Sequence, residues 1–107
     1  MISAASIARM KRGSLFVNVS RGTLVDSADL IGALRDGTLA AAGMDVTDPE
    51  PLPPDSPLRS MPNVLVTAHI ASVSPASVMK LRTQVAETAA IALRGGRLPN
   101  VVNGVSV

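Results

Sequence analysis

The sequence predicts an α/β protein, part of a doubly wound parallel sheet with flanking helices. Three observations carry that prediction. Short apolar runs alternate with stretches of helical periodicity along the chain. The length, 107 residues, allows one domain at most. A polar cluster follows each apolar run: Ser20-Arg21, then Asp45 with Glu50, then His69. In doubly wound sheets ligands bind in the crevice beyond the carboxyl ends of the strands, so clusters placed there are candidate site residues.

The elements follow in order. Ser3 to Lys11 forms a short helix with Ile7 and Met10 on one face, and Gly13 supplies a C-cap signal. Ser14 to Asn18 is a first strand, ending at Ser20-Arg21-Gly22. Asp26 and Ser27 are N-cap types opening a helix with the apolar stripe Leu30, Ile31, Leu34, which stops at Asp36-Gly37. Leu39 to Val46 is a second strand, rich in small residues as a strand covered on both faces would be. Six of the eight prolines lie between Pro49 and Pro62, so Thr47 to Asn63 is a long loop excluding helix and sheet interior. Loops of that length are usually functional or linkers. Val64 to Thr67 is a third strand and delivers His69 just past its end. Ser74-Pro75 starts a final helix running to about Arg94, with Val78, Leu81, Val85, Ala89 and Ala92 on one face. Gly95-Gly96 ends it, and Leu98 to Val107 is a tail.

Composition excludes several functions. Cysteine is absent and there is one histidine, so disulfide scaffolds, cysteine zinc sites and multi-histidine metal centres are ruled out; no metal site is expected. Phe16 is the only aromatic residue, so the core must come from Leu, Val, Ile, Met and Ala. Ten basic against eight acidic residues give a net charge of +2. The densest basic cluster, Arg9, Lys11 and Arg12, has no aromatic to stack on a base and reads as a solvated helix end; no nucleic-acid partner is expected. No apolar run reaches the ~18 residues of a membrane span, and Met1 to Met10 lacks the pattern of a signal peptide. The expectation is a cytoplasmic protein without a membrane partner.

Each polar cluster alone has a plain reading: a structural histidine, a surface arginine, a solvated loop carboxylate. Together they form a chemical set. Histidine donates and accepts protons near neutral pH, and a carboxylate beside it fixes its tautomer. An arginine fork grips a substrate carboxylate at two points and polarises an adjacent carbonyl. The set suits interconversion of a hydroxyl and a carbonyl next to a carboxylate, with a bound nicotinamide supplying the hydride.

These residues sit in recognisable motifs. Met10-Lys-Arg-Gly-Ser-Leu-Phe-Val-Asn-Val-Ser-Arg-Gly22, Leu24-Val-Asp26, Gly43-Met-Asp-Val46, Glu50-Pro51 and Pro62-Asn-Val-Leu-Val-Thr-Ala-His-Ile70 resemble the C-terminal third of the D-isomer-specific 2-hydroxyacid dehydrogenases. Leu98-Pro-Asn-Val-Val-Asn103 resembles the tail that returns to that family's substrate domain. The resemblance implies a partial Rossmann-like NAD-binding domain over residues 1–97 and a returning tail over 98–107. It implies that Arg21 binds substrate, that His69 carries the proton and that Glu50 pairs with His69. It places Val19, Ser20, Arg21, Asp45, His69, Ala71 and Ser72 at the nicotinamide end of NAD or NADP. It implies a small 2-hydroxy or 2-keto acid as substrate; a homodimer would help cover the open face of the sheet, and a complementary N-terminal chain would restore activity.

The chain departs from the family pattern at Ala68, where proline usually precedes the histidine, and at Thr47, where an aromatic is common. No Gly-x-Gly-x-x-Gly loop occurs in the sequence, so the helix start that receives a pyrophosphate is not among these residues. Met1 then falls within the nucleotide-binding domain. Two readings follow: the catalytic portion of an NAD(P)-dependent oxidoreductase, inactive in isolation, or an inactive truncated remnant kept as an association module.

Overall fold

The structure, a computed structural model, describes residues 1–102. The chain divides into two compact units, Met1–Ala71 and the residues from Ser72 onward. The first unit holds helices α1 (Ala4–Ile7) and α2 (Ser27–Arg35) and strands β1 (Ser14–Asn18), β2 (Leu39–Met44) and β3 (Val64–Val66). The second holds α3 (Pro75–Leu93). The sheet is wholly parallel with spatial order β1-β2-β3, which establishes the predicted α/β class. Parallel strands put all three carboxyl ends at one edge, and with them the three polar clusters.

Register explains which side chains enter the core. Phe16 lies beside Ala42, and Ala42 beside Val64; Asn18 lies beside Met44, and Met44 beside Val66. This row faces α1, α2 and the proline-rich loop, and with Ile7, Leu30, Leu34, Leu39, Leu52 and Leu58 it forms the core. The opposite row, Leu15, Val17 and Leu65, is exposed in the described residues. A register shift after Ser14 leaves Ala40 as an extra residue in β2, so Leu39 and Ala42 both turn inward. Within the first unit one face of β2 is buried, while Ala41 and Gly43 stay half-buried. The strand also ends at Met44 rather than Val46, because Asp45 begins the turn that builds the site.

Helix α1 is shorter than the expected span from Ser3 to Lys11. Ile2 makes a parallel bridge to Val25, with its N–H on the Leu24 carbonyl at 2.8 Å, so the chain is extended until Ser3. At the other end the Arg9 and Met10 amides bond three residues back, to Ser6 and Ile7, tightening the last turn. Gly13 consequently caps no helix. At φ +81 it turns the chain into β1, with its N–H on the Thr38 carbonyl at 2.9 Å.

Helix α2 begins where the sequence placed it. The Asp26 carboxylate accepts from the Ala28 and Asp29 amides, both at 3.0 Å. The loop between β2 and β3 contains one 3-10 turn, Pro57–Arg59, whose Leu58 is buried. Arg59 ties this loop together, donating to the Pro53 carbonyl at 2.9 Å and the Leu52 carbonyl at 2.6 Å. In the second unit, α3 runs from Pro75 to Leu93, capped by Ser74, whose hydroxyl accepts from the Ser77 amide at 3.1 Å. Of the expected tail, residues 103–107 lie outside the described residues. Among the described residues no helix is long and apolar enough to cross a membrane.

Candidate active site

The site grows from three strand ends. At the end of β1, Asn18 is buried and its side chain shapes the following loop. Its carboxamide oxygen accepts from the Ser20 amide at 3.0 Å, and its nitrogen donates to the Arg21 carbonyl at 2.9 Å. Val19, Ser20 and Arg21 are thereby left exposed on a fixed turn. The Arg21 guanidinium donates to the Ser20 carbonyl at 2.7 Å, and the side chain stays open to solvent.

Gly22 joins this loop to the next. A Cβ there would lie 1.9 Å from the Thr47 carbonyl oxygen and 2.7 Å from the Asp48 nitrogen. Only glycine permits so close a backbone approach. The loop carrying Arg21 is thus seated against the root of the loop carrying Glu50. Thr47 is buried and its hydroxyl donates to the Pro49 carbonyl at 3.0 Å, closing the turn before Glu50.

At the end of β3, His69 and Glu50 meet as the sequence predicts: His69 Nδ1 lies 2.7 Å from Glu50 Oε1. Both side chains remain a little over two-fifths exposed, at 45% and 42%, so the pair is open to a solute. Nδ1 is engaged, leaving Nε2 as the ring nitrogen free to exchange a proton. The pair borders a groove of about 650 Å³ whose walls include Thr47, Leu58, Arg59 and Leu65.

The His69 backbone is unusual, with φ +56 in the left-handed region. That conformation costs about 1–2 kcal/mol for a residue with a Cβ, and such strain persists where surrounding contacts fix it. Asp45 provides them. Its carbonyl accepts from the His69 amide, Oδ1 from the Ile70 amide and Oδ2 from the Ala71 amide, each at 2.9 Å. Oδ1 also accepts from the Thr67 hydroxyl. Asp45 is itself buried, and its amide donates to the Asn18 carbonyl at 2.9 Å, which anchors it to β1. The Thr67 hydroxyl chiefly, with the Ala71 and Ile70 amides and the nearby His69 adding to it, holds the Asp45 carboxyl below the usual aspartate range against the opposing effect of burial.

The sequence-predicted residues therefore fall into three sets. Glu50 and His69 touch, and Asp45 and Ala71 form the turn that presents the histidine. Val19, Ser20 and Arg21 occupy the neighbouring loop at the same sheet edge, and Ser72 opens the second unit. Sequence reasoning missed Asn18, Gly22 and Thr67. An Asn just past an apolar run is a turn former and could have been found. Gly22 and Thr67 owe their importance to contacts with Thr47 and Asp45 that lie far along the chain.

The described residues offer an open strand end but no glycine-rich phosphate loop. Exposed Val19, Ser20 and Arg21 line an open strand terminus.

A parallel sheet with functional groups gathered at its carboxyl edge is the mark of a nucleotide-binding α/β domain. Comparison with known proteins narrows the class. Residues 1–71 match the family model described as D-isomer specific 2-hydroxyacid dehydrogenase, NAD binding domain. The chain belongs to this family. It is 43% identical over 103 residues to a glyoxylate reductase of Korarchaeum cryptofilum, covering 96% of this chain and 31% of that protein. Its fold matches a D-isomer specific 2-hydroxyacid dehydrogenase of Xanthobacter autotrophicus, solved with NADPH, at TM-score 0.83 and 43% identity, over 95% of this chain and 41% of that one. An NADPH-dependent glyoxylate/hydroxypyruvate reductase of Sinorhizobium meliloti, solved with NADP, matches at TM-score 0.83 and 36% identity, over 95% of this chain and 33% of that one. The chain spans about a third of the length of the curated relatives it matches.

Proposed function

We propose that the chain carries the acid–base portion of a 2-hydroxyacid dehydrogenase. The reaction is interconversion of a 2-keto acid and a D-2-hydroxy acid, glyoxylate or hydroxypyruvate being the substrates named for its relatives. The single observation that supports it most is the Glu50–His69 pair at the carboxyl edge of the sheet. Residues 1–97 are read as the C-terminal part of the NAD-binding domain and 98–107 as the tail toward a substrate domain.

The nicotinamide, when bound, supplies or accepts the hydride; the chain handles the proton and the substrate. Glu50 holds Nδ1 of His69, so Nε2 points the transferable proton at the substrate oxygen. As the carbonyl is reduced, Nε2 protonates it, and Glu50 stabilises the charged ring before transfer. Arg21 grips the substrate carboxylate. It follows β1 and His69 follows β3, so the two lie at the same sheet edge with β2 between them. Val19, Ser20, Arg21, Asp45, His69 and Ala71 are the residues of the first unit assigned to the nicotinamide end, with Asp45 and Ala71 acting through the backbone turn they build.

No glycine-rich phosphate loop occurs among these residues, so the 107 residues alone should show no turnover with NADH or NADPH. Mixing with a chain bearing a glycine-rich phosphate loop should restore reduction of glyoxylate or hydroxypyruvate, followed by the absorbance of the reduced nicotinamide. His69→Ala should then remove about 10²–10⁴-fold of the rate, the usual worth of a general acid. Full activity of that variant would overturn the reading. A well-folded mixture without activity would favour the association-module reading.

A further inference from the structure

Thr67 has no part in the acid–base reading, yet it touches the group on which the His69 turn depends. Asp45 has two carboxylate oxygens and three donors from the chain itself. Ala71 N–H takes Oδ2, whereas Ile70 N–H and the Thr67 hydroxyl share Oδ1. Two amides on adjacent residues need both oxygens turned toward them at once. The Thr67 hydroxyl approaches from β3, before the turn, and fixes the rotation of the carboxylate so that this is so. Between these contacts sits His69, at φ +56, with Nδ1 2.7 Å from Glu50.

We propose that Thr67 is a positioning residue whose hydroxyl, acting through the Asp45 carboxylate, locks the left-handed turn that aims His69 at Glu50. The proposal rests on the reading that His69 carries the proton, and it deepens that reading by naming what holds the ring in place. Thr67 touches no reacting atom. Its side chain is exposed, so it contributes little to the core and its hydroxyl can be removed without opening a cavity. Without the hydroxyl, the carboxylate turns about its Cβ–Cγ bond, one of the two amides loses its acceptor, and the strained φ of His69 relaxes.

His69 is the only histidine of the chain, so its ring signals in a long-range ¹H–¹⁵N spectrum are unambiguous and report which nitrogen holds the proton. In the intact chain, Thr67→Val should keep the exchange-protected core amides, including Leu30 and Leu34. The same variant should lose the single Nδ1–H tautomer imposed by Glu50. Amide exchange at Ile70 and Ala71 should quicken about tenfold, the scale of one charge-assisted hydrogen bond. Thr67→Ser should retain the tautomer and the slow exchange. Should Thr67→Val fail to fold, Thr67→Ser and Thr67→Ala decide instead, since they differ by one hydroxyl: retention in the first and loss in the second supports the proposal. An unchanged tautomer in Thr67→Val, or equal behaviour of the Ser and Ala variants, overturns it. None of these readings uses turnover. Loss of the tautomer as described, with turnover surviving His69→Ala in the mixture, would sink the acid–base reading and leave the positioning role standing. The reverse pattern would do the opposite.

Discussion

Helix α2 has nine residues and buries Leu30, Ala33 and Leu34, whereas α3 has nineteen and buries none. Both carry apolar stripes, and both are capped at their N-termini by side chains, Asp26 and Ser74. In α3, Leu81 and Val85 are 63% and 62% exposed. The contrast separates what local sequence decides from what packing decides. A cap and a 3.6-residue period make a helix and choose its apolar face. They do not say what covers that face, and most helical stability comes from such cover. The first unit has its cover in the sheet and the proline-rich loop, and its site is correspondingly fixed.

Substitutions should reproduce this contrast. The largest effect is expected at Leu30, fully buried in the core. Leu30→Ala should cost about 2–5 kcal/mol in urea unfolding, and a cost below 1 kcal/mol would mean that the core is not closed as described. Gly22→Ala should follow at about 1–3 kcal/mol, because its Cβ meets the Thr47 carbonyl. It should also disturb the His69 ring signals, since Thr47 is the root of the Glu50 loop; undisturbed signals would break that link. Asp26→Ala should cost about 1 kcal/mol through loss of the α2 cap, measured by the same unfolding curves.

Acid should act on the first unit through Asp45. A carboxyl held below its ordinary value contributes stability above the unfolded pKa, near ~4, and that contribution disappears as pH falls through the folded value. Exchange at Ile70 and Ala71 should therefore quicken in this acid window, beyond the intrinsic change with pH, and Asp45→Asn should abolish the effect. The smallest change is expected in α3, where Leu81→Ala should stay within about 0.5 kcal/mol in this chain. A cost like that of Leu30→Ala would show a covered face and erase the contrast.

Much of the fold was legible because its signals are local. Asp26 and Ser74 announced α2 and α3, the short apolar run within Ser14–Asn18 announced β1, and the prolines bounded the long loop. The misread elements were governed by distant partners. Helix α1 is cut short by pairing of Ile2 with Val25, and the inner face of β2 is set by the register shift beside Ser14. The site divides the same way. Glu50 and His69 were readable as chemical types at a strand end and a loop, and they do meet. The devices that hold them, Gly22 against Thr47 and Thr67 with Asp45, are contacts between residues more than twenty positions apart. No spacing rule encodes them.

In the proposed function His69, held by Glu50, moves the proton. This is tested most directly by following glyoxylate reduction with NADPH in the mixture that supplies the phosphate loop, comparing the unaltered chain, Glu50→Gln and His69→Ala. The unaltered chain should be active, Glu50→Gln should lose much of the rate, and His69→Ala should lose about 10²–10⁴-fold. Equal rates for all three would contradict that role.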